Sequence, residues 1–183
     1  MSTGLIVLDM LDDFVGGKLA NQASLPTIEP ISLLVDKARR SNDWLVIYAN
    51  DSHLPGDFEL DVFGEHAMRG TPGSRVIDAL SPDPADLIVP KRYYSAFTQT
   101  DLDATCRTQG IERLVVVGQH TDCCCRHTAY DAFGRGIKLT VVSDATSVFA
   151  PAWGDAVPEA QRRALAYLQT YYKADVVDAA TFL

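Results

Sequence analysis

Cysteine is scarce in the 183-residue sequence, and three of the four cysteines are adjacent, at Cys123, Cys124 and Cys125. Such a set cannot build the spaced disulfide framework of a small secreted domain, and there is no Cys-x-x-Cys pair for a zinc ribbon or a thioredoxin-like site. Basic residues are also short, 16 Lys and Arg against 24 Asp and Glu, a net charge of −8. With no basic block to neutralise phosphates, the composition argues against a nucleic-acid or anionic-membrane partner. Long apolar runs are missing too. The first residues, Met1-Ser-Thr-Gly4, put no basic segment ahead of the short run Leu5 to Leu8, so neither a signal peptide nor a membrane span is expected. A cytoplasmic location follows as an expectation. Gly16-Gly17-Lys18 lacks the Gly-x-x-x-x-Gly-Lys-Ser/Thr spacing of a phosphate loop. No repeat, low-complexity tract or linker divides the chain, which reads as one domain over residues 1–183, long enough to bury roughly 70% of its unfolded surface.

What the sequence does have is an alternation. Short apolar runs at Leu5 to Leu8, Trp44 to Tyr48, Leu87 to Pro90, Leu114 to Val117, Ile137 to Val142 and Ala174 to Val177 read as strands. A continuous branched run such as Leu5 to Leu8 is what a strand buried on both faces of a parallel sheet requires. Between these runs, Ile31, Leu34, Val35 and Ala38 fall at helical spacing. Thr100 to Asp103 fits a capping box for a helix that Gly110 stops. Two more helices are expected, one from the cysteine cluster to about Phe133 and one from about Val157 to Tyr171. Asp12 to Lys18 reads as a turn-rich loop. The stretch between His53 and Pro84 reads as long and irregular, with a short helical piece at Val76 to Leu80. The sum predicts an α/β protein, a three-layer α/β/α sandwich around a six-stranded parallel sheet. Sites in such sheets lie outside the carboxyl ends of the strands, and Asp9, Asp51, Lys91 and Cys124 all fall there.

These residue types suggest chemistry. Cys124 sits in the turn or first turn of a helix, where the macrodipole favours a thiolate. Lowering a thiol pKa by two units requires about 2.7 kcal/mol of differential stabilisation, which Lys91 would help to supply. Asp9 could take the thiol proton and later pass it to a leaving group. His127, three residues beyond Cys124, offers a Cys–His dyad instead. Each residue also has a plain structural reading: cysteines filling space, Asp9 in a cap or ion pair, Lys91 solvated. Asp51, His53 and the later His66 form a second group, suited to zinc or iron with positions left for water or substrate.

Taken together, the motifs resemble those of the isochorismatase-like cysteine hydrolases, most closely their nicotinamidase branch. The resemblance rests on Asp9 with Asp13-Phe14-Val-Gly-Gly-Lys-Leu19, on Lys91 in Pro-Lys-Arg-Tyr-Tyr-Ser-Ala-Phe97, and on Gly118-x-x-Thr-Asp-x-Cys124 with Thr128-Ala129. It implies a Rossmann-like topology and an Asp9–Lys91–Cys124 triad, which singles out Cys124 among the three cysteines. It also implies a cis peptide before His120 and an oxyanion hole from the N–H groups of His120 and Cys124. A divalent metal ion, most simply zinc, on Asp51, His53 and His66 is implied by the nicotinamidase branch, as are stacking of Phe14 on a substrate ring and assembly into a homo-oligomer. The implied activity is hydrolysis of nicotinamide through a Cys thioester. A metal-free relative acting on another small amide, carbamoyl compound or vinyl ether is the alternative within the family. A thiol-based redox sensor or binding protein using Cys123 and Cys125 is the alternative outside it. There are two departures from the usual pattern: His120 and Cys123 stand where small or apolar residues are usual, and Gly64-Glu65 stands where Trp-Pro usually precedes the last histidine.

Overall fold

A computed structural model describes residues 2–183. Along the chain run β1 (Ser2–Leu8), α1 (Asp12–Val15), α2 (Ile28–Arg39), β2 (Trp44–Asp51), α3 (Leu60–Phe63), β3 (Leu87–Lys91), α4 (Leu102–Thr108) and β4 (Ile111–Gln119). These are followed by α5 (Cys124–Gly134), β5 (Lys138–Ser147), α6 (Ala150–Trp153), α7 (Val157–Tyr172) and β6 (Asp175–Val177). The six strands form one sheet in the order β3-β2-β1-β4-β5-β6, and every neighbouring pair is parallel.

Side chains alternate across a strand, so a run that is apolar at every position must be covered on both faces. Leu5 and Val7 of β1 pack with Ile31, Leu34, Val35 and Ala38 of α2. Ile6 and Leu8 pack on the opposite face with Leu102 and Cys106 of α4, Ala129 and Ala132 of α5 and Leu168 of α7. The result is the expected α/β/α sandwich, and truncating one of these leucines to alanine would cost about 2–5 kcal/mol.

The strand order reverses between β1 and β4, which opens a crevice beyond their carboxyl ends. Gly118 makes that junction possible. Its φ is +100°, and a Cβ there would lie 2.1 Å from the Leu8 carbonyl oxygen. Just beyond it, the Gln119 amide donates to the Asp9 carbonyl at 3.1 Å and accepts from the Asn21 amide at 2.9 Å, fixing the backbone at the end of β1.

Four local features differ from the sequence reading. Asp12 to Val15 form the helical turn α1 rather than loop, because tertiary bonds hold it: the Asp12 N–H donates to the Arg75 carbonyl at 2.9 Å and the Asp13 carboxylate accepts the Ala67 N–H at 2.8 Å. Strand β5 continues past Val142, so Asp144 lies within it and accepts the Ala179 N–H at 2.8 Å. The expected helical piece at Val76 to Leu80 shrinks to a single 3-10 turn, Asp78–Leu80. The expected capping box at α4 is replaced by a looser arrangement: the Thr100 hydroxyl donates to the Ala96 carbonyl and accepts the Leu102 N–H at 3.3 Å. Among the described residues, no helix is long and apolar enough to cross a membrane.

Candidate active site

The sheet delivers three side chains to the crevice from three strand ends. Asp9 follows β1, Lys91 ends β3 and Cys124 opens α5 directly after β4. The Lys91 ammonium lies 2.8 Å from Asp9 Oδ2 and 3.7 Å from Cys124 Sγ, with Lys91 and Asp9 completely buried. A carboxylate oxygen of Asp9 and the sulfur of Cys124 lie within 4.8 Å of one another. Asp9 adopts a left-handed backbone (φ 53°), which Asp tolerates better than most residues, and its Oδ1 accepts the Asp51 N–H at 2.8 Å. The peptide between Gln119 and His120 is cis, as expected. The N–H groups of Thr121, Cys123 and Cys125 go to the carbonyls of Ser147 and His120. Cys124, the first residue of α5, has no intrahelical acceptor for its own N–H.

Electrostatics decide which of these groups carries a proton. Burial, and then the charge on Asp51, push the Asp9 carboxyl up to about 7 despite Lys91. Burial alone would strip the Lys91 proton, but the carboxylates of Asp51 and Asp9 hold the ammonium charged. The Cys124 thiol is raised, not depressed as its helix position suggests, because a hydrogen bond to Cys123 and complete burial outweigh the pull of Lys91. Lys91 is already engaged by two carboxylates, which blunts its field at the sulfur. The resting site therefore holds a thiol beside a carboxyl poised near neutrality, a pairing suited to proton transfer.

A second group adjoins the first through Asp51, whose Oδ1 contacts Lys91. Asp51, His53, His66 and Glu59 offer ligand atoms that all lie within 4.8 Å of one another. The two histidine segments are laced together: the His53 N–H donates to the Ala67 carbonyl at 3.1 Å and the Arg69 N–H to the His53 carbonyl at 2.9 Å. His53 Nδ1 lies 3.2 Å from Asp57 Oδ2, and His66 Nδ1 lies 2.8 Å from the Gly64 carbonyl. Both acceptors require the proton on Nδ1, which turns each Nε2 lone pair into the cluster. His53 Nε2, His66 Nε2 and Asp51 Oδ2 are buried without hydrogen-bond partners among the described residues. Three orphaned acceptors facing one another are costly unless a cation takes them, so the residues present fit a divalent metal ion. Glu59 lies 4.0 Å from His66 Nε2, and burial followed by the Asp51 charge raises its carboxyl to about 8.

Both groups open on one cleft with about 340 Å³ of atom-free space, lined by Phe14, Leu19, Phe63, Tyr94, Phe149 and His120 beside Asp51, Glu59, His66, Cys123 and Cys124. No Lys or Arg is among these lining residues. The structure thus brings together Asp9, Lys91, Cys124, His120, Phe14, Asp51, His53 and His66. It sets His127 apart, with Nδ1 on the Cys123 carbonyl at 2.8 Å and its ring against Tyr94 in an outer groove. Sequence reasoning missed Glu59, Asp57 and the walls Phe63, Tyr94 and Phe149. The one available signal was the acidic–aromatic run Asp57-Phe-Glu59 between the two candidate ligands His53 and His66.

Comparisons with known proteins identify the family and the fold. The model of the isochorismatase domain matches residues 3–181. An uncharacterized isochorismatase family protein, PncA, of Bacillus subtilis is 34% identical over 81% of this chain and 88% of its own length. A probable inactive nicotinamidase of Arabidopsis thaliana is 29% identical over 82% and 83%. Among solved structures, N-carbamoylsarcosine amidase of Thermoplasma acidophilum is similar with a TM-score of 0.85 and 37% identity, covering 98% of this chain and 97% of that one. Nicotinamidase PncA of Bacillus subtilis has a TM-score of 0.86 at 29% identity, covering 97% and 100%. The chain belongs to the isochorismatase family of hydrolases.

Proposed function

We propose that the protein hydrolyses a neutral heteroaromatic carboxamide, nicotinamide in the first instance, to the carboxylate and ammonia. The observation that carries this reading is a small cleft that joins the Cys124 thiol to three orphaned ligand atoms, has aromatic walls and shows no Lys or Arg among its described lining residues. A flat uncharged ring suits such walls, and no Lys or Arg of the described lining offers a partner to a substrate carboxylate beside Asp51 and Glu59.

Asp9 takes the thiol proton as the Cys124 sulfur attacks the carboxamide carbon. Lys91 stays charged between Asp9 and Asp51 and stabilises the developing thiolate. The backbone N–H groups of His120 and Cys124 bind the oxyanion. As the C–N bond breaks, Asp9 returns its proton to the departing ammonia, leaving a thioester on Cys124. Asp9 then draws a proton from water, whose attack releases the acid and restores the thiol. Asp51, His53 and His66, with Glu59 alongside, would hold a zinc-class ion, which when bound supplies a Lewis acid for the ring nitrogen. Phe14 would stack on the ring, with Phe63 and Phe149 closing the remaining walls. The single domain and a homo-oligomeric state belong to the same reading.

Ammonia release from nicotinamide by purified protein, with metal content measured before and after chelation, tests it. Turnover that disappears in Cys124→Ala and falls on chelation is expected; wild-type turnover in Cys124→Ala would overturn the mechanism. A second reading, hydrolysis of an N-carbamoyl compound, draws on the 37% identity to the Thermoplasma amidase. It is favoured if N-carbamoylsarcosine is consumed and nicotinamide is not.

A further inference from the structure

His120 has no part in that mechanism beyond its main-chain N–H, yet its side chain is one of the least accommodated groups in the molecule. The residue is buried, lines the cleft beside Cys124, and its Nε2 finds no hydrogen-bond partner among the described residues. Among the described residues no carboxylate pairs with it, so burial keeps the ring neutral, with one N–H donor and one lone pair. Leaving such a nitrogen unpaired in an apolar site is costly unless a ligand takes it.

Its neighbours define the setting. His120, Phe14, His66, Phe63 and Phe149 form a closed circuit of aromatic rings, each edge-on to the next at centroid separations of 4.9–6.0 Å. All five line the cleft. Two members are imidazoles, His66 on the side of the ligand cluster and His120 separated from it by Phe14 in one direction and by two phenyl rings in the other. The circuit therefore presents two distinct polar positions, and nicotinamide has only its ring nitrogen to offer beyond the scissile group.

We propose that His120 is a specificity-determining residue: its imidazole hydrogen-bonds a second polar atom on the substrate ring, so that the preferred substrates are ring-hydroxylated or ring-amino pyridinecarboxamides rather than the unsubstituted amide. This rests on the carboxamide reading above and names the substrate class within it. Because no Lys or Arg is among the described lining residues while Asp51 and Glu59 are, a neutral second group fits beside His120 better than a carboxylate.

The test compares kcat/KM for nicotinamide and for its hydroxy and amino ring isomers in wild-type, His120→Phe and His120→Gln protein. The substituted-to-parent ratio in wild type, divided by the same ratio in His120→Phe, cancels the electronic effect of the substituent. For at least one isomer that quotient should reach tenfold, carried mainly by KM, and His120→Gln should restore most of it. A quotient within twofold for every isomer overturns the proposal. If His120→Phe does not fold, His120→Leu and His120→Gln supply the same comparison. If wild-type protein turns over none of these amides, the carboxamide reading has failed. The ratio of dissociation constants, measured by calorimetry in Cys124→Ala with and without His120→Phe, then judges His120 separately: a tenfold quotient sustains its role, and equal ratios or no binding refute it.

Discussion

Replacing Asp57 by Asn changes one oxygen for nitrogen at a residue that would touch neither substrate nor metal, and it should nevertheless weaken metal binding by 10–100-fold. Asp57 Oδ2 accepts from His53 Nδ1 (3.2 Å) and from the Leu54 N–H (2.9 Å), while the Arg92 guanidinium binds Asp57 from the other side, its Nε 3.1 Å from each oxygen. Arg92 holds the carboxyl well below its ordinary range, so the acceptor is fully ionised at neutral pH. An Asn side chain can be placed in two ways. With its oxygen toward His53 and Leu54, its NH2 faces the donors of Arg92. With its oxygen toward Arg92, its NH2 faces His53 Nδ1 and drives the imidazole proton to Nε2, the atom that must carry a lone pair for ligation. Either placement removes a charge-assisted bond, and outer-shell substitutions of this kind cost about 1.4–2.7 kcal/mol in metal affinity. Zinc affinity measured by competition with a chromophoric chelator at pH 7, with circular dichroism as the check on folding, reads the effect. An affinity within twofold of wild type would show that the His53 tautomer is not set by Asp57.

Lys91→Met leaves the Asp9 and Asp51 carboxylates buried without their shared counter-ion and should destabilise the fold by about 3–5 kcal/mol; an unchanged urea midpoint contradicts this. Between its ordinary 4.5 and its buried value of about 8, the Glu59 carboxyl keeps in the folded state a proton that the unfolded chain releases, so raising the pH favours unfolding. Metal-free protein should therefore lose Tm between pH 6.5 and 8, and Glu59→Gln should lose less; equal slopes would refute the linkage. Gly118→Ala forces a side chain onto the Leu8 carbonyl in a left-handed backbone and should cost about 3 kcal/mol or more, measured as the loss in urea midpoint. A variant as stable as wild type would mean that β1 and β4 can part without penalty.

The sheet was legible because both-face burial leaves a direct trace: Leu5 to Leu8 and Leu114 to Val117 are apolar at every position since α2 covers one face and α4, α5 and α7 the other. Strand ends then located Asp9, Lys91 and Cys124. Helical turns held by distant partners leave no such trace, and α1 depends on Arg75 and Ala67, more than fifty residues away. Glu59 and Asp57 escaped for a related reason. They sit in an irregular stretch where polar residues are the rule, and only the folded chain shows that Asp57 is buried and that Glu59 faces His66. Helix position alone favours a thiolate at Cys124, and only the folded chain shows the hydrogen bond to Cys123 and the complete burial that push the thiol up.

That shared lysine has a consequence reaching beyond either cluster. One ammonium bridges Asp9, on the thiol side, and Asp51, on the ligand side, so no change of charge at one is invisible to the other. A dication accepted by Asp51 repels the ammonium and withdraws the negative charge that holds the Asp9 proton. The same free energy must appear in reverse, since such couplings are reciprocal. Metal uptake should release protons from Asp9, and acidification should loosen the metal in step with the protonation of Asp9, so that two centres with separate tasks answer to a single pH.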